Sequence, residues 1–515
     1  MKNVSAPAGG LERALVGVAI AAALLGAFVA GVWPVLLAFS DLLRDPGRAI
    51  GVLLEGLLWR RFGLSIGIAG ATLAIALPLG LLQGWLLTRA DLPLRRLMLA
   101  ITPLPLFLPP LVHALSWFGM LRLSGLPAIV LVYVISFTPL ITLAAAIALR
   151  QVGREHSETM RLIGGRRLVF LDDLRQALPA GLIGSAFALV FLLSDFAVAD
   201  FLTSVGAKVT VYADALYTLH MVGRSGAVAG ATLPGVALCL VALAIALRAR
   251  RRLGAAVGAR HQAAAPLSLG AWRAPAFLFA LTIVFAGTVL PFGALAWKTG
   301  SFGVLHEQFV IARPRIGFTL LAGALAATIM TALSAPLAAL TLRLRRPWLL
   351  DLLIALPLAT PALFYGVGLI RAWNRPAFDA IYVGVGVVLI AMVGRYLPIT
   401  LLLTSGAAER LDRGAFDAAR LAGAGPLARL WRIAIPLTMT PVIGAWCVSF
   451  CFTLRELDTL IMLRAGQSSL TFHLYSNIVF ARSDETAALA LILSLTTAAP
   501  LILFLLLFRR SLRSL

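Results

Sequence analysis

The chain has 515 residues, of which 60% are hydrophobic and 13% charged, with a mean hydropathy of +0.95. No soluble core of this size hides so much apolar surface, so a soluble domain is excluded and lipid is the solvent the composition implies. The net charge of +22 does not point to nucleic acid, because the basic residues sit in short clusters between apolar runs rather than along one polar face.

In chain order, the first apolar run, Ala14 to Phe39, follows Lys2 and Arg13 and is too long for a signal-peptide core. It reads as a retained first span. Further segments poor in charge fall at 63 to 88, 98 to 121, 127 to 149, 180 to 203 and 226 to 247. A second set falls at 276 to 297, 316 to 342, 349 to 370, 379 to 405, 437 to 460 and 486 to 508. Each meets the length that a helix needs to cross the hydrocarbon, which predicts an all-α polytopic protein of about 12 transmembrane helices, six and six. With the N-terminus placed in the cytoplasm, inside connections carry 28 Lys and Arg against 14 outside, so both termini are expected to be cytoplasmic.

Between the sets, 248 to 275 is basic and then rich in Ala, Gly and Ser, as in a flexible cytoplasmic linker joining modules at 1–247 and 276–515. The halves match in detail, as an internal duplication would. Pro105 and Pro109 of LPLFLPP recur as Pro357 and Pro361 of LPLATPA, and Phe137 and Pro139 recur as Tyr396 and Pro398. Six spans per half keep both copies in one orientation, with a pathway expected between two facing bundles.

After the fourth span of each half comes a cytoplasmic stretch of about 30 residues. The second reads Asp417-Ala418-Ala419-Arg-Leu-Ala-Gly423, with Pro436 thirteen residues after the glycine; the first, Glu158-Thr159-Met160-Arg-Leu-Ile-Gly164, reaches Pro179 after fifteen. An acid near a helix start favours the dipole, small residues admit a neighbouring backbone, and Gly164 or Gly423 permits the turn that ends the helix. These stretches resemble the EAA loop of bacterial binding-protein-dependent ABC importers. The first is the more diverged, since Thr159 and Met160 replace both alanines. The resemblance implies two tandem six-helix type I permease modules in the bacterial inner membrane, served by two copies of a cytoplasmic ABC ATPase and a periplasmic solute-binding protein. It implies transport without catalysis or cofactor, and coupling through the two acid-to-glycine segments.

The chain contains no P-loop. Its lysines are Lys2, Lys208 and Lys298, and none stands between a glycine and Ser or Thr in that motif. The segments LSDFAVADFLTSVGAKVTVYADALY and TLRELDTLIMLRAGQSSLTFHLY are similar to ferric-iron permeases of this superfamily, with thiamine and phosphonate permeases nearby, although Asp458 stands where a proline is common.

Asp195, Asp200, Arg395, Arg455, Glu456 and Asp458 lie in or at the edge of spans, where mid-membrane charge costs about 2.5 to 3.5 kcal/mol and needs a cavity or a partner. Asp195, Arg395 and Glu456 are expected to line the pathway or pair across it. The alternative puts Asp200 and Asp458 in water at the outer ends and makes Arg455 and Glu456 a structural pair. The six histidines show no ligand spacing, and Cys239, Cys447 and Cys451 read as small packing residues, so no metal site is expected. Two other functions fit part of the pattern. A 6+6 secondary transporter of the major-facilitator type would explain the span count and a faint likeness in RADLPLRRL, but not the paired cytoplasmic segments; a membrane enzyme or scaffold lacks any nucleophile with a base at recognisable spacing.

Overall fold

The computed structural model describes residues 10–204, 209–255, 266–409, 411, 413–480 and 482–507. In lipid an apolar run must satisfy its own backbone groups, and these runs do so as helices. Among the described residues the only extended pairing is one isolated bridge, Ala90 to Leu267. Nine described helices are long and apolar enough to cross a membrane, and Arg95–Phe107 with Pro110–Leu121 makes a tenth crossing bent by 98°. Leu25, Leu36, Ile75, Ile147, Val241 and Leu325 are exposed around the outside, an apolar belt of the kind lipid covers. The protein is an all-α, multi-pass membrane protein.

Two expected spans, 98–121 and 349–370, are broken rather than continuous, and at matching prolines. The helix Leu104–Phe107 ends at extended Leu108 before Pro109, and Leu356–Ala359 ends at extended Thr360 before Pro361. A residue preceding proline is pushed out of helical conformation, which accounts for both breaks. The segments 180–203 and 437–460 are also not continuous: their helices stop at Ser194 and at Leu454. Here the cause is a carboxylate that competes with the helix for backbone donors. Asp195 accepts from the Val198 amide at 3.0 Å and Glu456 from the Thr459 amide at 2.8 Å.

The first span of each half packs against the other half. In span Ala14–Arg44 a wide π-turn at Phe28–Val32 precedes Pro34, and in Gly270–Thr299 another at Phe285–Val289 precedes Pro291. Proline has no amide to give the carbonyl four residues back, so the Ala30 carbonyl is left free. Tyr365, from the second half, donates its hydroxyl to that oxygen at 2.6 Å. Asp41 and Arg371 join the same two halves with an ion pair at 2.5 Å. Reciprocally, Gln83 and Ser116 of the first half donate to the carbonyls of Ala280 and Pro291 at 3.1 and 3.4 Å.

The linker segment 248–275 lies partly outside the described residues. Its far end is pinned: Leu267 donates to the Arg89 carbonyl at 2.7 Å and accepts from the Asp91 amide at 3.1 Å, while the Asp91 carboxylate accepts from the Leu269 amide at 3.0 Å.

Gly394 sits where the exchanged first span crosses the tenth, and a methyl group there would overlap the Tyr365 hydroxyl and the Ala30 backbone. Gly394→Leu is therefore expected to lower the thermal midpoint of the detergent-solubilised chain, losing about 1 to 3 kcal/mol, with Gly384→Ala as a milder control.

Candidate functional site

The first acid-to-glycine segment lies on a helix that begins at Arg154, turns back at Gly164 and Gly165 and resumes to Ser194. The residue in the left-handed region is Gly165 (φ 66°, ψ −159°), a combination closed to side-chain-bearing residues, so the turn rests on Gly165 rather than on Gly164. In the second half Arg413–Leu421 ends at Gly423, whose φ of +81° makes it the turn residue expected there. Glu158 and Asp417 are the fifth residues of their helices, past the first turn where the dipole acts, which corrects that part of the expectation. Glu158 instead accepts from Arg154 at 2.6 Å on the surface.

Both segments show the same faces. Glu158, Thr159, Asp417 and Ala418 are exposed, Met160 and Ala419 are half-buried, and Leu162 and Leu421, at matching positions, are each 88% exposed. Two protruding leucines, each on a short helix closed by a glycine turn, are apolar surface of the kind a partner covers.

A buried clamp holds the first segment to the membrane core. Arg89, at the end of the second span, donates to both oxygens of Asp173 at 2.9 and 3.0 Å, and Trp85 donates to Asp173 at 3.0 Å. Arg89 also donates to the Ser157 hydroxyl at 2.5 Å, one residue before Glu158. Arg89 is 3% and Asp173 1% exposed, so neither has water to fall back on. Between Gly423 and Pro436, the stretch that corresponds to the one holding Asp173, the second half has no Asp or Glu, and Phe416 precedes Asp417 as Ser157 precedes Glu158. The second half cannot form this clamp.

At the centre, the breaks at Pro109, Asp195 and Arg455 to Asp458 line a cavity of about 40 Å³. Asp195, Arg395 and Glu456 all line it, as do Tyr396, Arg455 and Asp458. Arg395 donates to the Thr360 carbonyl at 3.3 Å and lies 3.6 Å from Glu456, which also accepts from the Tyr396 hydroxyl. Asp195 accepts from Tyr133 at 3.0 Å. Arg455 reaches across the interface to donate to the Leu106 carbonyl, its guanidinium 5.5 Å from the Phe191 ring and 5.3 Å from the Phe452 ring. Glu456 thus has Arg395, not Arg455, as its ion-pair partner. Nor does Asp200 lie free at an outer end: it is half-buried and accepts from Tyr475 of the other half at 2.9 Å.

Matched positions in the first half carry Ser136, Phe137, Ser194 and Ala197 where the second carries Arg395, Tyr396, Arg455 and Asp458. Most of the cavity's charge therefore comes from one copy. The clamp has no comparable signature in sequence, since Arg89 looks like any basic residue at a span end and Asp173 like one of two adjacent surface acids. Among the described residues no group of His, Cys, Asp and Glu could hold a metal ion.

Removing one member of the clamp leaves the other charged and buried, which costs about 3 to 5 kcal/mol. Asp173→Asn and Arg89→Ala are each expected to lower the thermal midpoint and to speed limited proteolysis at Arg161 to Arg167. The double variant Arg89→Met with Asp173→Leu is expected to recover much of the midpoint.

A family model described as the inner membrane component of binding-protein-dependent transport systems matches the chain twice, over residues 76–255 and 337–514. No curated protein matches the chain. Both matches begin within the second span of their half, so the two exchanged first spans lie outside them. A double match over most of the chain shows a duplicated type I module and does not favour the secondary-transporter alternative. Permeases of this family are non-enzymatic and work with an ATPase and a binding protein. The chain belongs to the family of binding-protein-dependent transport inner membrane components, and is the permease component of an ABC importer.

Proposed function

We propose that this chain forms the complete membrane pathway of its importer, docking two copies of a separate cytoplasmic ATPase through Glu158–Gly164 and Asp417–Gly423. In this reading both termini are cytoplasmic, the modules are 1–247 and 276–515 joined by 248–275, and the membrane is the bacterial inner membrane. A periplasmic binding protein delivers the solute, with ferric iron the favoured cargo from the resemblance of the segments around Asp195 and Glu456.

The observation that carries the reading is the pair of exposed leucines, Leu162 and Leu421, at matching places before matching glycine turns. A mechanism follows from connectivity. From Arg166 to Ser194 the chain is one helix, so about 43 Å of nearly rigid rod joins the first turn to Asp195. In the second half, helical chain from Pro426 to Leu454 ends beside Arg455 and Glu456. Movement of either cytoplasmic segment by an ATPase is transmitted to the cavity wall, opening it alternately to each side. Asp195, Arg395 and Glu456 then act as pathway and gate residues.

Leu162→Glu and Leu421→Glu are each expected to cost about 2 kcal/mol of ATPase association. The pair together should abolish co-purification of the ATPase while insertion is retained. Gly423→Val, strained at its positive φ, is expected to weaken association on the second side. ATP-independent uptake at the normal rate with no ATPase bound would overturn the reading. The solute retained by the cognate binding protein identifies the cargo.

A further inference from the structure

The central cavity is lined by three carboxylates and two guanidinium groups, and four of these five are committed to the protein. Arg395 is held by Thr360 and Glu456, Arg455 by Leu106 and two phenylalanine rings, Asp195 by Tyr133 and Val198, and Glu456 by Tyr396, Thr459 and Arg395. Asp458 differs: it lines the same cavity, is only partly buried, and makes no hydrogen bond or ion pair among the described residues. A carboxylate at such depth is costly unless something in the cavity compensates it. Each arginine spends one donor on a carbonyl beside a span break.

We propose that Asp458 is the specificity-determining residue of the pathway, the carboxylate that meets the cargo at the constriction, and that the cargo crosses as a cation rather than as an oxyanion. This rests on the importer reading above. The position opposite Asp458 in the first half is Ala197, so the cargo meets one such carboxylate and not a symmetric pair. A carboxylate with no hydrogen-bond partner in a cavity of about 40 Å³ attracts a positive charge into a space that suits a small ion or a narrow cationic group. A phosphonate would meet a net excess of negative charge.

The test uses the full chain with its ATPase and binding protein in proteoliposomes, and three probes: ferric ion, thiamine and methylphosphonate. Wild-type protein is expected to take up one of the two cations under ATP and to leave methylphosphonate outside. Asp458→Asn is expected to reduce that uptake about tenfold or more, because a lost charge partner in a desolvated site is expensive. Asp458→Glu is expected to restore most of the uptake, and the ATPase should co-purify with both variants. A preference for methylphosphonate, or undiminished cation uptake by Asp458→Asn, overturns this inference while leaving the importer intact. Absence of ATP-driven uptake of every probe by wild-type protein, with no ATPase bound, overturns both.

Discussion

In hydrocarbon a backbone carbonyl that loses its helical partner has no water to turn to, and the interface between the two halves is arranged around that constraint. Proline at position 34 frees Ala30, and breaks before Pro109 and Pro361 free the carbonyls of the short helices that precede them. Three carbonyls at these places are met by donors from elsewhere in the chain: Ala30 by Tyr365, Thr360 by Arg395, and Leu106 by Arg455. Two of these three donors cross from the second half to the first. The halves are therefore held together by satisfied polar groups as well as by packing, at the places where the helices are broken.

The same constraint explains why charge is tolerated at the centre. An arginine buried in lipid would be prohibitive, but one that donates to a carbonyl and lies between aromatic rings has exchanged water for fixed dipoles and ring faces. Phe191 stacks on Phe452 at 5.6 Å, Phe137 on Phe191 at 6.0 Å, and Tyr396 lies 5.6 Å from Phe452, so one aromatic column runs through the contact between the halves. The cavity lies beside this column, with Phe137, Phe191 and Tyr396 in its lining.

Duplication has left the two copies unequal in complementary ways. Apart from Asp195, the first copy keeps apolar or small side chains at the cavity and gathers polar groups at one end of its bundle, where Arg89, Asp173, Trp85 and Ser157 lock the turning segment to the membrane core. The second copy supplies most of the cavity's charge. It is joined to the helix Ser225–Ala255, which leads out of the first copy, by Arg250, which donates to the Leu402 carbonyl at 3.1 Å, and by Arg248 above Trp348. One polypeptide fixes the pairing of these unlike halves, which two identical subunits could not reproduce.

Read alone, the sequence determined what local chemistry controls. Apolar length marked the membrane-crossing segments, the recurring prolines marked the duplication, and Gly423 marked a turn, because each depends on solvent, period or backbone freedom within a few residues. It also singled out Asp195, Arg395 and Glu456, which line one cavity, since charge inside an apolar run is conspicuous wherever the run folds. It did not show that Gly165 rather than Gly164 carries the first turn, because adjacent glycines are interchangeable until φ is known. Only the tertiary structure decided the rest: the exchange of first spans, the Arg89–Asp173 clamp, the partner of each central charge, and the isolation of Asp458. Those outcomes depend on which distant groups are within about 3 Å of one another, and in a bundle of broken helices that distance is set by packing between halves rather than by spacing along the chain.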